Sequence, residues 1–200
     1  MGRSPHPSGL PWPEDLPPPD PIVRLSGRQV YRNAWISVRE DVVRFPHGHE
    51  GIYSVVTTNP CVGMLPFVDD DHVLLVQQYR YVFGHATWEM PTGGLHAGED
   101  PLAGAQRELA EEVGMRADRL HHLATIHTSK SVIWEIAHLY TATGLAVVDA
   151  AHVVPDETEF LRRAVFPFAD VVAMVARSEI LDAMTVIAVL HEDRRRRGGG

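Results

Sequence analysis

Short apolar runs separated by turn residues dominate the chain from residue 29 to residue 78. The runs IYSVVTT, CVGMLPF and HVLLV are interrupted by HGHEG and by three aspartates at 69–71. This rhythm is typical of β-strands joined by tight turns. We interpret the aspartates as turn residues rather than as metal ligands, because they lie where a hairpin would reverse. Further strand-like segments follow the first helix described below: LATIHT, IAHLYTATGL and AVFPF.

Three helices are predicted in the second half of the chain. The first covers about residues 101–113, where Asp100 can cap the first turn and Gly114 can end the last one in a left-handed conformation. Apolar residues at three- and four-residue spacing predict another helix from about Glu179 to Arg194, with Ser178 as its cap. A shorter helix, about Phe168 to residue 177, precedes it.

A single domain is predicted between residues 22 and 192, with N-terminal strands over 22–60. A chain of 200 residues with 44% hydrophobic content can bury one sizeable core. Residues 1–21 are rich in proline, which blocks helix and removes amide donors, so they are predicted to be an extended or disordered arm. Residues 193–200, RRRRGGG with the preceding aspartate, are predicted to be a solvated tail.

Charge and cysteine content narrow the class of protein. The formal net charge is −8, which disfavours binding to nucleic acid because a polyphosphate backbone is repelled. One cysteine cannot form an internal disulfide, so a secreted disulfide scaffold is excluded. The sequence contains neither a signal peptide nor an apolar run long enough to span a bilayer. We therefore expect a soluble cytoplasmic protein that does not bind membranes.

The first predicted helix carries a cluster of like charges. Glu108, Glu111 and Glu112 stand at spacings that place their carboxylates on one face, where they repel each other. Either Arg107 or a divalent cation could compensate them. Magnesium and manganese prefer oxygen ligands of this kind. A solvated helix face is the alternative interpretation of such a run taken alone.

The surrounding segment, residues 93–115, decides between these interpretations. GGLHAGEDPLAGAQRELAEEVGM resembles the Nudix box, G-x5-E-x7-R-E-U-x-E-E-x-G-U, in which U is aliphatic, and it matches every specified position. The resemblance implies an α/β Nudix fold: a curved mixed sheet sandwiched between helices, with an N-terminal antiparallel strand region. It also implies hydrolysis of a nucleoside diphosphate linked to another moiety, with Mg²⁺ as cofactor and Mn²⁺ as an alternative.

The same resemblance assigns roles to the charged residues of the box. Glu108 and Glu112 would be the inner metal ligands, and Glu111 would hold an additional ion. Arg107 would orient these catalytic carboxylates through paired hydrogen bonds. The carbonyl of Thr92 would supply a backbone ligand to the metal.

The flanking segments resemble the ADP-ribose and nucleotide-sugar pyrophosphatases. In QQYRYVFGHATWEMPTGG, Arg80 would contact the substrate diphosphate, while Gly93 and Gly94 would let the backbone approach it. Glu135 stands where this branch has an acidic residue that contacts the substrate. Ser131 stands where ADP-ribose pyrophosphatases have a proline, so the resemblance is to the wider sugar-nucleotide branch.

A loop after the box supplies the general base in that branch. Glu157 and Glu159 are the two candidates, Asp156 ranks below them, and a solvated turn is the alternative. Glu89 and Glu99 are expected either to be structural or to support the metal ligands without binding the metal. Members of the branch commonly dimerise through their N-terminal strands, so a homodimer is expected. Four aromatic residues could stack on a base near that interface or pack in the core: Tyr31, Trp35, Phe45 and Tyr53.

The leading hypothesis is therefore Mg²⁺-dependent hydrolysis of a nucleoside diphosphate sugar to a nucleoside monophosphate and a sugar phosphate. ADP-ribose is the first candidate substrate and a GDP-mannose-like compound the second. The alternatives are hydrolysis of a nucleoside triphosphate or another diphosphate-linked nucleotide, and a non-catalytic regulator that senses ADP-ribose.

Overall fold

Strands account for most of the regular structure in the computed structural model, which describes residues 11, 13, 16–148 and 161–198. The strands are β1 (Val23–Arg32), β2 (Ile36–Arg44), β3 (Glu50–Thr58), β4 (Cys61–Pro66), β5 (His72–Arg80), β6 (His85–Glu89), β7 (Thr92–Gly94), β8 (Met115–His127), β9 (Ile133–Trp134), β10 (Ile136–Val147) and β11 (Arg162–Pro167). The helices are α1 (Pro101–Val113), α2 (Phe168–Ala176) and α3 (Ala183–Gly198).

The strands form three sheets. The central one has the order β7-β4-β10-β8 and is mixed, since β4 and β10 are parallel while the other pairs are antiparallel. A second sheet, β1-β2-β3-β9, begins with three antiparallel strands. The third sheet, β11-β5-β6, is antiparallel throughout. The predicted mixed sheet and N-terminal antiparallel strands are thus confirmed, while the division into separate sheets is new.

Helices cover both faces of the central sheet. Alternate residues of β10 divide between two apolar clusters: Leu139 packs on the α2 and α3 side, and Tyr140 packs on the α1 side. All six residues of β4 are buried, as expected for a strand covered on both faces. The predicted arrangement of helices around a sheet is confirmed, and it places the Nudix-like box against the central sheet.

The N-terminal sheet lies outside this core. All ten residues of β1 are exposed. Four aromatic residues were considered as base platforms or core residues. Tyr31 and Trp35 are exposed, so the core alternative is wrong for these two, whereas Phe45 and Tyr53 are partly buried. Most of the proline-rich arm lies outside the described residues, and residues 17–22 have no regular secondary structure.

Local signals determine α1 as predicted. The Asp100 side chain accepts hydrogen bonds from the backbone N–H groups of Leu102 and Ala103, and Gly114 ends the helix with φ of 68°. Asp69 likewise accepts N–H bonds from Asp71 and His72, which confirms the turn at the three aspartates.

The last helix begins later than predicted. Ser178 does not cap it; instead Ser178 adopts a left-handed conformation, with φ of 57°, and its N–H bonds back to the carbonyl of Val175 to close α2. The chain then needs four residues to turn. Asp182 is the residue that caps α3, accepting the N–H of Thr185 at 2.8 Å.

The arginine-rich end is also different from the prediction, because residues 193–198 continue α3 instead of forming a solvated tail. Glu192 is fully buried and accepts hydrogen bonds from Arg195 and Arg196. The Arg196 guanidinium lies over the rings of Phe67 and Phe168, at 4.2 and 4.9 Å from their centroids. Burial opposes ionisation of Glu192, but the two arginines outweigh it and hold its pKa below the ordinary value.

Replacing Arg196 by Ala is expected to destabilise the fold, because a buried carboxylate loses a partner and two aromatic rings lose their cation. The free energy of unfolding should fall by about 1–3 kcal/mol. Arg197→Ala is the matched control, since Arg197 pairs with Asp193 at the surface and should contribute less than about 0.5 kcal/mol. Urea unfolding of both variants checks this, and equal losses would contradict the account.

Candidate active site

A pocket of about 690 Å³ lies where all three sheets and the start of α3 meet. Its walls bring together residues that are distant in sequence: Trp35, Ile36, Thr58, Asn59, Cys61, Tyr79, Arg80, Tyr81, Val82, Phe83, Glu89, Thr92, Gly93, Gly94, Glu135, Asp182 and Met184. Helix α1 stands directly behind one wall, because its carboxylates contact the backbone of β7.

Arg107 compensates the carboxylates of α1 directly. Its guanidinium donates to Glu99 at 3.0 Å, to Glu108 at 2.7 Å and to Glu111 at 2.8 Å. A further N–H donates to the carbonyl of Gly94 at 2.9 Å. One arginine therefore ties three carboxylates of the box to the strand that precedes it.

Glu99 anchors the loop between β7 and α1. It binds Arg107 through both carboxylate oxygens and also accepts the backbone N–H of His96 at 2.8 Å. The hydrogen bond from Arg107 lowers the pKa of Glu99 from 4.5 to about 2. The structural role expected of Glu99 is consistent with these contacts.

Glu108 and Glu112 lie against β7. Both are buried, and the Glu112 carboxylate accepts the N–H of Thr92 at 3.2 Å. A Cβ atom at residue 93 would overlap the Glu108 carboxylate, so only glycine lets the strand come this close. The two carboxylates expected to be inner metal ligands thus meet the backbone of Thr92 and Gly93.

The oxygen chemistry of this cluster suits a hard divalent cation. Carboxylates on one helix face next to a close-approaching backbone are the kind of ligands that Mg²⁺ and Mn²⁺ take. Within the described residues, no three acidic, histidine or cysteine side chains converge as a finished ligand set. Arg107 bridges Glu108 and Glu111 instead, which offsets the mutual repulsion of these carboxylates.

A second charged pair lines the same pocket where β6 ends, three residues before β7 begins. Arg80, at the end of β5, donates to both carboxylate oxygens of Glu89 at 3.0 Å, and Glu89 also accepts the Thr87 hydroxyl. Glu89 is buried, whereas the Arg80 side chain is partly exposed to the pocket. Glu89 therefore holds the Arg80 side chain in place at the pocket wall.

Glu135, the residue just before β10, lines the same pocket. Its two oxygens accept the hydroxyls of Thr58, at 2.9 Å, and Thr128, at 2.7 Å. These hydrogen bonds hold the carboxylate in one orientation at the pocket wall. The sequence resemblance singled out Glu135 as a residue that contacts the substrate, but it did not predict the two threonine partners.

Two consecutive segments of the chain match known protein families. Residues 57–184 match the NUDIX domain, and residues 22–56 match the nucleoside diphosphate sugar hydrolase N-terminal domain. The first match alone covers more than half of the chain. The chain belongs to the Nudix family. It is a Nudix hydrolase of the nucleoside diphosphate sugar type.

Individual relatives agree with this assignment. The chain is 32% identical over 167 residues to the ADP-ribose pyrophosphatase of Mycobacterium tuberculosis. The aligned segment covers 83% of this chain and 80% of the relative. It is 30% identical to the methanol dehydrogenase activator of Bacillus methanolicus, over 82% of this chain and 89% of the relative. A crystal structure of an ADP compounds hydrolase superposes with a TM-score of 0.81 at 23% identity, covering 92% and 99% of the two chains, and shows the same fold.

The candidate bases of this Nudix hydrolase, Glu157 and Glu159, lie outside the described residues, as does Asp156. They remain predictions. None of the helices in the described part of the chain has the length and apolar character to cross a membrane.

Several pocket residues were not predicted from the sequence. Asp182 lies in the pocket wall, although the sequence placed it inside a helix. Tyr81 and Phe83 form an exposed aromatic tip between β5 and β6, and Tyr81 is 93% exposed. The aromatic residues of the RYVFG turn could have indicated this tip from the sequence.

Cys61 also lines the pocket. Burial and the nearby carboxylates of Glu135 and Asp182 raise the pKa of its thiol to about 12, which makes Cys61 a poor nucleophile.

The ion pair between Arg107 and Glu99 should be visible in the pH dependence of stability. Because the pKa of Glu99 falls from 4.5 to about 2 on folding, its stabilisation is complete above pH 4.5 and is lost as the pH falls toward 2. The difference in unfolding free energy between wild type and Glu99→Gln should therefore shrink across that window.

Chemical denaturation at a series of pH values measures this difference. Glu50→Gln is the control, since Glu50 pairs with Arg44 at the exposed edge of the N-terminal sheet. A wild-type advantage over Glu99→Gln that stayed constant from pH 6 to pH 2 would disprove the role of the ion pair.

Proposed function

We propose that this Nudix hydrolase cleaves the diphosphate of a nucleoside diphosphate sugar to give a nucleoside monophosphate and a sugar phosphate. ADP-ribose is the first candidate substrate and a GDP-mannose-like compound the second. The observation that carries the proposal is that Arg80 and the β7 backbone, which the box carboxylates contact, line one pocket. The similarity to an ADP-ribose pyrophosphatase supports the choice of ADP-ribose.

The proposed metal is Mg²⁺, with Mn²⁺ as an alternative. Glu108 and Glu112 would be its inner ligands, with the carbonyl of Thr92, and Glu111 would hold an additional ion. When bound there, the metal supplies positive charge to the phosphate oxygens and lowers the pKa of bound water. Arg107 keeps the carboxylates gathered and oriented when the metal is absent.

The chain's own residues perform the remaining steps. Arg80, fixed by Glu89, binds the diphosphate and offsets the charge that develops during cleavage. Gly93 and Gly94 allow the diphosphate to approach the backbone. Glu157 or Glu159 removes a proton from the attacking water. The water oxygen bonds to the phosphorus on the nucleoside side as the bond from that phosphorus to the bridging oxygen breaks. The nucleoside monophosphate keeps the water oxygen, and the sugar phosphate leaves with the bridging oxygen.

Glu135 is proposed to bind the sugar. Each of its two threonine partners uses one lone pair of one carboxylate oxygen. Each oxygen therefore has a further lone pair that can accept a substrate hydroxyl. A sugar with neighbouring hydroxyls suits such an acceptor.

The proposal also includes a cytoplasmic homodimer. Exposed apolar side chains on the N-terminal sheet support the dimer, notably the adjacent pair Val42 and Ile52 on β2 and β3. The single buried thiol of Cys61 supports a reducing compartment.

Metal-dependent turnover is the direct test of the proposed reaction. ADP-ribose, GDP-mannose, UDP-glucose, a dinucleoside polyphosphate and nucleoside triphosphates are each incubated with Mg²⁺, Mn²⁺ or a chelator, and the products are separated by chromatography. We expect a nucleoside monophosphate and a sugar phosphate from ADP-ribose only when metal is present. Preferred cleavage of a triphosphate, or ADP-ribose binding without cleavage, would contradict the proposal and favour the corresponding alternative.

Glu112→Gln supplies the mechanistic control for that assay. The substitution keeps the side-chain shape and removes an anionic ligand, so kcat should fall by about 100-fold or more while the protein stays folded. Asp193→Asn is the control. It removes a charge in the C-terminal half of α3, away from the pocket at the start of that helix, and should leave kcat unchanged. Wild-type turnover in Glu112→Gln would disprove the metal site.

A charged residue on the N-terminal sheet should break the dimer. Ile52→Glu places a carboxylate on the proposed interface and is expected to halve the mass measured by light scattering after gel filtration. Val165→Glu, at a comparably exposed residue of β11, is the control and should leave the mass unchanged. A monomeric wild type at micromolar concentration would contradict the interface.

A further inference from the structure

The chain changes sheets between the two charged groups of the active site. Strand β6, which ends at Glu89, pairs with β5 in the third sheet, and β7, which begins at Thr92, pairs with β4 in the central sheet. Met90 and Pro91 form the corner between them, and both are buried. A buried corner is costly unless its backbone N–H and C=O groups find partners.

Thr185 of α3 supplies the partner that the sheets do not. The N–H of Met90 donates to the Thr185 hydroxyl oxygen at 3.0 Å. The carbonyl of Pro91 accepts the N–H of Met64, and Pro91 itself has no N–H. The first turn of α3 thus supplies the partner of the Met90 N–H, and β4 supplies that of the Pro91 carbonyl.

Asp182 makes the Thr185 hydroxyl oxygen the acceptor in this contact. Its carboxylate oxygen accepts both the backbone N–H of Thr185, at 2.8 Å, and the Thr185 hydroxyl, at 2.6 Å. Since the hydroxyl proton is committed to Asp182, a lone pair of the same oxygen is left for the N–H of Met90. Thr185 is fully buried, so no solvent competes for either bond.

We infer that Thr185 and Asp182 are positioning residues that set the separation between Arg80 and the metal-binding carboxylates. Glu89, on one side of the corner, holds Arg80, while Thr92 and Gly93, on the other side, contact Glu112 and Glu108. A shift of this two-residue corner would move one group relative to the other. The inference rests on the proposed function, because both groups are taken to act on one diphosphate.

A purely structural role is the competing explanation. Asp182 also caps α3, and loss of a cap would lower stability without touching the chemistry. The cap bond to the Thr185 N–H does not require the Thr185 hydroxyl, however, whereas the bond to Met90 does. Substitutions of that hydroxyl therefore separate the two roles.

Thr185→Val keeps the side-chain shape and removes the acceptor. We expect kcat on the preferred substrate to fall by about 10-fold or more, since misplacement of reacting groups by about 1 Å can cost two orders of magnitude. KM should change less, because the diphosphate can still bind either group alone. Thr185→Ser restores the hydroxyl and should stay within about 3-fold of wild type in kcat.

Thr141→Val is the matched control. Thr141 is buried on β10 and makes one weak hydroxyl contact, at 3.5 Å, to the carbonyl of His121, away from the pocket. This variant should have wild-type kcat even if its melting temperature falls. Should Thr185→Val fail to fold, Thr185→Ala lacks the same acceptor without added bulk and carries the same expectation.

Amide hydrogen exchange gives a readout that does not depend on the substrate. In Thr185→Val, exchange should accelerate about 10-fold or more at Met90 and also at Thr92, but not in α1. Unchanged protection at both amides, or wild-type kcat in a folded Thr185→Val, would overturn the inference. Absence of activity in the wild type would instead count against the proposed function, and the exchange result would still decide the role of Thr185.

Discussion

The contacts of Arg107 are the constraint on which the active site depends. Three glutamates at adjacent positions of one helix face repel each other, yet the proposed binding of a cation requires them to stay close. Arg107 resolves this conflict by pairing with Glu108 and Glu111 on the helix and with Glu99 before it, and by reaching the carbonyl of Gly94. The helix, the preceding loop and β7 are therefore held as one unit.

A second unit faces it across the corner at Met90. Buried Glu89 holds Arg80 at the pocket, and α3 holds the corner through Thr185. The candidate active site is thus assembled from parts of three sheets and two helices, and no single element carries it. This dependence explains why so many of its supporting residues are buried polar groups with hydrogen-bond partners.

Local sequence signals predicted the parts of this structure that are determined locally. Asp100, the box register and Gly114 define α1, and the box itself led to the family. The start of α3 was predicted wrongly because Ser178 suits a helix cap by type, whereas here it closes the preceding helix. The contact between Met90 and Thr185 joins residues 95 apart, and Arg196 and Phe67 are still farther apart in the sequence, so neither contact leaves a periodic signal. Such contacts depend on tertiary packing, which explains why the arginine-rich end was taken for a tail.

The central claim is that the box carboxylates and Arg80 act on one diphosphate bound in the same pocket. Crystals of the protein grown with Mn²⁺ and a non-hydrolysable ADP-ribose analogue would test it most directly, through the anomalous signal of manganese. The account predicts a peak about 2.2 Å from the carboxylates of Glu108 and Glu112, with the diphosphate also contacting Arg80. A peak at another cluster, or a diphosphate bound away from Arg80, would contradict it.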